Sequence, residues 1–239
     1  MPAAERLVDA AGLGAVFSAF SGRCSVAARR KRGVEAADEE ETRAVSLIAA
    51  LLGALPSGER RDRVAAKFVE EEHAKVDRLA ELWFKYAART HAAERVVATE
   101  EDPEERYVAR LEGGLFTLQH CALILAQLWC IAHPGINDRL LRALTLGGGS
   151  LADVRCVLRE YADNLGDDAE PPEGEETEVE KLQRRLAALT DLLYAPGEGR
   201  TPREEVDSEE EAHEAGEGEE GQPPAEGLLE DEQEDDTQV

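Results

Sequence analysis

The 239-residue chain has a formal net charge of −25, from 52 Asp and Glu against 27 Lys and Arg. So acidic a balance excludes indiscriminate binding to a phosphate backbone, which needs clustered Lys and Arg. Residues 198–239 hold eighteen of the acids and only Arg200 and Arg203, a net −16, which leaves −9 for residues 1–197.

Taken in order, residues 3–10 and 13–20 read as two short helices broken at Gly12, with Leu7, Val8, Val16, Phe17 and Phe20 as their apolar face. A buried-looking helix pair so near Met1 leads to the expectation that structure precedes it. Residues 24–38 read as a loop around Arg29, Arg30, Lys31 and Arg32. Four consecutive basic residues fit a nuclear-import signal, and they fit a solvated basic loop equally.

Residues 42–55 repeat Val45, Ile48, Ala49, Leu52 and Leu55 on one side, an amphipathic helix stopped by Pro56. Ser57 is expected to cap the next helix, which carries Val64, Phe68 and Val69. A long helix over 70–98 buries Val76, Leu79, Ala80, Trp83 and Ala87. Its start, Glu70 to His73, looks like a carboxylate–histidine metal site. Adjacent helical residues diverge around the axis, so the better reading is a solvated first turn favoured by the helix dipole.

Glu104 opens the helix leading into the stretch 113–137, GGLFTLQHCALILAQLWCIAHPGIN, which holds no formally charged residue. Gly113 and Gly114 each cost roughly 1 kcal/mol relative to Ala inside a helix, a cost offset by close approach of a neighbour or marking a kink. Leu115, Leu118, Ala122, Leu125 and Trp129 lie on one helical face, and Ile124, Leu128 and Ile131 make the other face apolar. A helix greasy all round must be enclosed by protein or by lipid. A membrane helix needs about 20 predominantly apolar residues. Here Gln119, His120 and Gln127 interrupt the run and His133-Pro134-Gly135 ends it, so the expectation is enclosure by the chain's own helices.

Residues 136–146 form a further helix ended by Gly147 to Gly149. Ser150 and Asp153 make a near capping box for a helix with Leu151, Val154, Leu158, Tyr161 and Leu165 on its core face. Residues 167–176 are an acidic, proline-bearing linker. Thr177 and Glu180 form a full capping box for a last helix with Val179, Leu182, Leu186, Leu189 and Leu193 at helical spacing. No stretch alternates as a strand does, so the class is all-α, either a solenoid or a bundle. Residues 195–239 cannot bury enough apolar surface to offset the entropy of ordering and are expected to be disordered.

Chemistry is sparse. His73, His91, His120, His133 and His213 form no paired ligand spacing, and Cys24, Cys121, Cys130 and Cys156 form no CxxC pair. The thiols therefore read as free, in a reducing compartment, and residues 1–20 lack the pattern of a secretory signal. His120 invites reading as a lone catalytic base, but no nucleophile or second carboxylate stands beside it in sequence, and a satisfied core histidine is the expectation. The triple glycine before Ser150 lacks the Lys-Ser/Thr of a phosphate loop. Asp163, Asn164, Asp167 and Asp168, with Glu160 beside them, form a polar cluster at a helix end that reads as a C-cap or as a partner-binding patch. Ser208, followed by three glutamates, fits an acidophilic-kinase site.

Several ordered segments carry a family resemblance: residues 75–79 (KVDRL), 81–86 (ELWFKY), 114–120 (GLFTLQH), Gly149-Ser150 and 160–167 (EYADNLGD). With Gly12-Leu13, Val16-Phe17 and Phe20 upstream, the chain from about residue 5 to 194 resembles the C-terminal half of the beta-catenin-like nuclear proteins. The resemblance implies an armadillo-type α-solenoid fragment over 1–166, cut on its N-terminal side, with capping helices through 177–194. It implies no enzymatic activity, cofactor or metal. Its implied setting is the nucleus and the spliceosome, where the family binds basic nuclear-localisation segments of splicing factors in the assembly containing the nineteen-complex. No membrane or direct nucleic-acid partner follows, and self-association stays open. The alternatives are a chaperone of basic proteins acting through the acidic tail, and a truncated product without the binding groove.

Overall fold

The computed structural model describes residues 3–22, 26–97, 103–166 and 176–194, with backbone alone over 26–35. Nine helices and no strand occur among the described residues: α1 (Ala3–Asp9), α2 (Leu13–Phe20), α3 (Val26–Ala54), α4 (Glu59–Val96), α5 (Pro103–Gly113), α6 (Leu115–Ile131), α7 (Pro134–Leu146), α8 (Leu151–Asp163) and α9 (Glu178–Leu192). All lie within one compact unit, residues 1–198.

The expected central helix is α6. Leu115, Cys121, Ala122, Ile124, Ala126 and Leu128 are fully enclosed. The walls around it come from α3, α4, α7, α8 and α9, with α5 closing its N-terminal end. Its near-uniform apolarity thus has a cause: every face meets another helix. No single helix among the described residues is long and apolar enough to cross a membrane, and α5 and α6 together meet at a 70° bend.

That bend sits at Gly113 and Gly114, where both readings of the glycine pair hold. Gly114 has φ +104, a conformation that L side chains rarely adopt. A Cβ on it would stand 2.6 Å from the Tyr86 ring, and one on Gly113 would stand 2.9 Å from the Ala93 Cβ. The glycines turn the chain and let α5 close on α4 at once.

Three elements differ from the sequence reading. The expected loop over 24–38 is helical from Val26, because Ala27, Ala28 and the Arg and Lys that follow are strong helix formers and only Gly33 opposes them. The start of α4 is not capped by Ser57. Gly58 stands at that position with φ +137 and no side-chain cap, so the chain turns one residue later.

Glu70 to His73 is a corner rather than a first turn. Glu70 leaves the helix at ψ 150, and Glu71, Glu72 and His73 take left-handed φ values of 56°, 54° and 67°. For L residues that conformation costs roughly 1–2 kcal/mol each. Glu70 spans the corner, accepting from Lys67 Nζ at 2.7 Å and from Lys75 Nζ at 3.1 Å.

The remaining junctions follow the expected chemistry. His133 caps α7, its Nδ1 accepting from the Ile136 amide at 3.3 Å. Ser150 with Asp153 and Thr177 with Glu180 both form complete capping boxes. At the other end of the core, Phe17, Phe20 and Phe68 pack edge to face with centroids 5.3 to 6.1 Å apart, joining α2 to α4. The last helix is held by Trp129 Nε1 donating to the Leu192 carbonyl at 3.1 Å. Arg155 donates to the Leu193 carbonyl and lies 4.2 Å from the Tyr194 ring centroid.

Candidate recognition surface

Two stripes of opposite charge meet where α3 crosses α4. Asp38 and Glu41 are three residues apart on α3, so they share a face; Arg78, Lys85 and Arg89 fall at seven- and four-residue steps on α4 and share another. Glu41 Oε1 accepts from Lys85 Nζ at 2.6 Å and from the Tyr86 hydroxyl at 2.9 Å, while its Oε2 accepts from Arg78 Nη2 at 2.6 Å. Asp38 accepts from Lys85 at 2.9 Å and from Arg89 at 2.7 Å.

The Glu41 side chain is only 7% exposed, so the arrangement stands because each buried charge finds a partner. Burial alone would lower the Lys85 ammonium, yet the hydrogen bonds to Glu41 and Asp38 hold it above its ordinary value. Burial raises Tyr86. For Asp38, burial pushes the carboxyl up, but the bonds from Lys85 and Arg89 together bring it below the usual range.

Over this network opens a cleft of about 540 Å³, lined by Asp38 and Thr42 of α3, Tyr86 and Arg89 of α4, and Leu111, Glu112 and Phe116 around the Gly114 corner. Thr42 and Thr117 meet at 3.0 Å across its floor. Phe116 is 47% exposed, and its ring centroid lies 4.2 Å from that of His120. Apolar surface beside carboxylates and a guanidinium suits an extended peptide better than a small reactant. Across the described residues, no group of three or more His, Cys, Asp or Glu is placed to hold a metal.

His120 is half-buried rather than in the core. Its Nδ1 is 2.8 Å from the Phe116 carbonyl of its own helix, and burial lowers its pKa. Glu160 is taken up by Arg110: Nη2 donates to Oε2 at 2.7 Å and Nη1 to Oε1, tying α5 to α8. Asn164 caps α8, its Nδ2 donating to the Glu160 carbonyl at 2.8 Å, and Asp163 is exposed at the end of that helix. Asp167, Asp168 and Ser208 lie outside the described residues, as do the side chains of Arg29, Arg30, Lys31 and Arg32, whose backbone is part of α3.

The sequence reading passed over Asp38, Glu41, Arg78, Lys85 and Arg89. Their signal was present as two one-signed stripes on successive helices, which become a pair only once the packing of α3 on α4 is known.

The described elements are all helices, stacked around a central one, and with the family match they make this an armadillo-type helical protein. The model of the catenin-beta-like, Arm-motif containing nuclear family matches residues 1–159, and the chain belongs to that family. Beta-catenin-like protein 1 of mouse is 35% identical over 199 residues, covering 77% of this chain and 34% of the mouse protein. The human protein of the same name is 34% identical over 192 residues, covering 74% and 33%. The chain therefore spans about a third of the length of these curated relatives.

Proposed function

We propose that the chain is a non-catalytic adaptor in the nucleus, associated with the spliceosome, that binds basic nuclear-localisation-type segments of splicing factors, nineteen-complex components among them. The observation that carries this reading is membership of the catenin-beta-like, Arm-motif containing nuclear family across residues 1–159. The charge balance is compatible with it, since residues 1–197 carry −9 and draw basic partners by long-range attraction. The Phe116 cleft, with Asp38, Glu39 and Glu112 on its walls, offers a place for the aliphatic stems and charged heads of Lys and Arg.

The test is a pull-down from nuclear extract with the full chain. The reading expects splicing factors to be captured and then released as salt rises. Capture of cytosolic proteins alone, or of none, defeats it. None is also the outcome expected if the groove belongs to the part of the relatives that this chain does not span.

A second reading is favoured by the concentration of −16 on residues 198–239, which makes that segment a binder of basic proteins independent of splicing. Deleting everything after Gly197 then abolishes the binding of basic proteins. Retained binding assigns it to the helical unit.

A further inference from the structure

We propose that the trough between the first turns of α4 and the α6–α7 turn is the docking site for an amphipathic helix of a partner protein, one that carries bulky apolar side chains a turn apart and a lysine or arginine on either side of them. The proposal goes beyond the recognition of basic segments and does not depend on it. It concerns the opposite end of α6 from the Phe116 cleft.

Asp62, Ala65, Ala66 and Val69 fall at helical spacing and make one face of α4. With Ile131 at the end of α6 and Ile136 in the first turn of α7, they line a cavity of about 490 Å³. Ala65 and Ala66 lie in the middle of that face. The distance between two packed helices is set by the side chains at the contact, so small residues there admit a second helix closely.

The walls are set before a partner arrives. Glu71, Glu72 and His73 follow the lining residue Glu70 on one wall, and Ala132 stands between Ile131 and His133 on the other. These are four of the five non-glycine residues with positive φ among the described residues. Such strain persists where the surroundings over-determine it, and it gathers at ligand clamps. The walls also interlock. A Cβ on Gly135 would stand 2.9 Å from His73 Nε2, so the bare backbone of α7 is what admits the His73 ring. A groove built in advance loses little freedom on binding.

Charge selects the occupant. The lining holds two carboxylates, Asp62 at one end of the α4 face and Glu70 at the other, and no lysine or arginine. Eight steps of about 1.5 Å set them roughly 12 Å apart along the helix. Basic residues two turns apart on a docked helix match that span, and the apolar side chains between them enter over Ala65 and Ala66. Glu70 already accepts from Lys67 and Lys75, which makes Asp62 the stronger determinant.

The test uses the full chain and fluorescent, alanine-based helical peptides, with binding read by anisotropy. One peptide carries two leucines a turn apart between two lysines; in the second the leucines are alanines, and in the third the lysines are glutamates. The first is expected to bind at least about tenfold more tightly than either of the others. Ala66→Phe, which fills the trough from an exposed position, is expected to remove that advantage, and Asp62→Lys to shift the preference from the lysine to the glutamate peptide. Phe116→Ala is expected to change neither. If Ala66→Phe fails to fold, Ala66→Gln and Asp62→Lys carry the same test. No binding, equal binding of the three peptides, or an unchanged ranking in the trough variants overturns the site. Loss of binding with Phe116→Ala in place of Ala66→Phe overturns it in favour of the other cleft. A dimer in sedimentation that Ala66→Phe dissolves overturns the foreign partner in favour of a second copy of the chain.

Discussion

The crossing of α3 on α4 and the packing of α9 on α6 treat buried charge in opposite ways. At the first, Glu41 lies almost wholly inside and accepts from Arg78, Lys85 and Tyr86, so every withdrawn charge is answered. At the second, Arg185 of α9 donates from Nη2 to the neutral Gln127 Oε1 at 3.3 Å, and the buried Nε of Arg61 on α4 has no hydrogen-bond partner. Both regions are built from helices of the same unit, so composition does not explain the difference. The paired cluster contributes to holding α3 on α4, whereas a half-buried guanidinium that meets only a neutral amide takes from stability.

Breaking the paired side gives the largest effect. Glu41→Ala takes the buried acceptor from Arg78, Lys85 and the Tyr86 hydroxyl, leaving Lys85 only Asp38 and Arg78 the exposed Glu81, and is expected to cost about 3 kcal/mol, read from urea unfolding. Next comes Gly114→Ala, which forces a strained φ and presses on the Tyr86 ring that donates to Glu41. A loss of about 1–3 kcal/mol is expected, with intrinsic Tyr or Trp emission reporting the disturbance.

Acid sharpens the contrast. The Asp38 carboxyl lies below its ordinary value of 3.8, so its ion pairs stabilise the fold at neutral pH. That contribution is lost as the pH falls below the ordinary value and through the lowered one. Asp38→Asn should be less stable at neutral pH, with a shallower decline below about pH 4.

The surface supplies a control. Asp9→Asn removes the charge to which Arg60 donates at 2.9 to 3.2 Å, and the loss is expected to be small and to vanish in high salt. Smallest, and opposite in sign, is Arg185→Gln, which relieves burial and repulsion and is expected to raise the melting temperature slightly. A clear fall there would place Arg185 with the paired charges.

Much of the fold was legible from local pattern. The enclosed helix, the breaks at Gly12 and Pro56, both capping boxes and the glycine corner were all read from short-range signals, because the chemistry of a cap or an apolar face lies within a few residues. The elements misread were those in which two local signals compete. Arg29 to Arg32 looked like a loop because charge runs are often solvated, yet alanines and long basic side chains also make good helix. Glu70 to His73 looked like a helix start because acids favour that position, and nothing in the four residues announces three left-handed conformations in succession. The sites were less legible still. Glu41 finds Lys85 across 44 positions and Gln127 finds Arg185 across 58, and such distances are set by packing alone.

One consequence concerns Cys121, in the middle of the sheathed helix. The residue is fully enclosed, and burial pushes its thiol far above the ordinary cysteine range, so the reactive thiolate is scarce while the core is closed. Alkylating reagents and peroxide can reach that sulfur only when neighbouring helices part. The pace of its labelling under native conditions is therefore an intrinsic clock for opening of the core, readable by mass spectrometry at the natural residue.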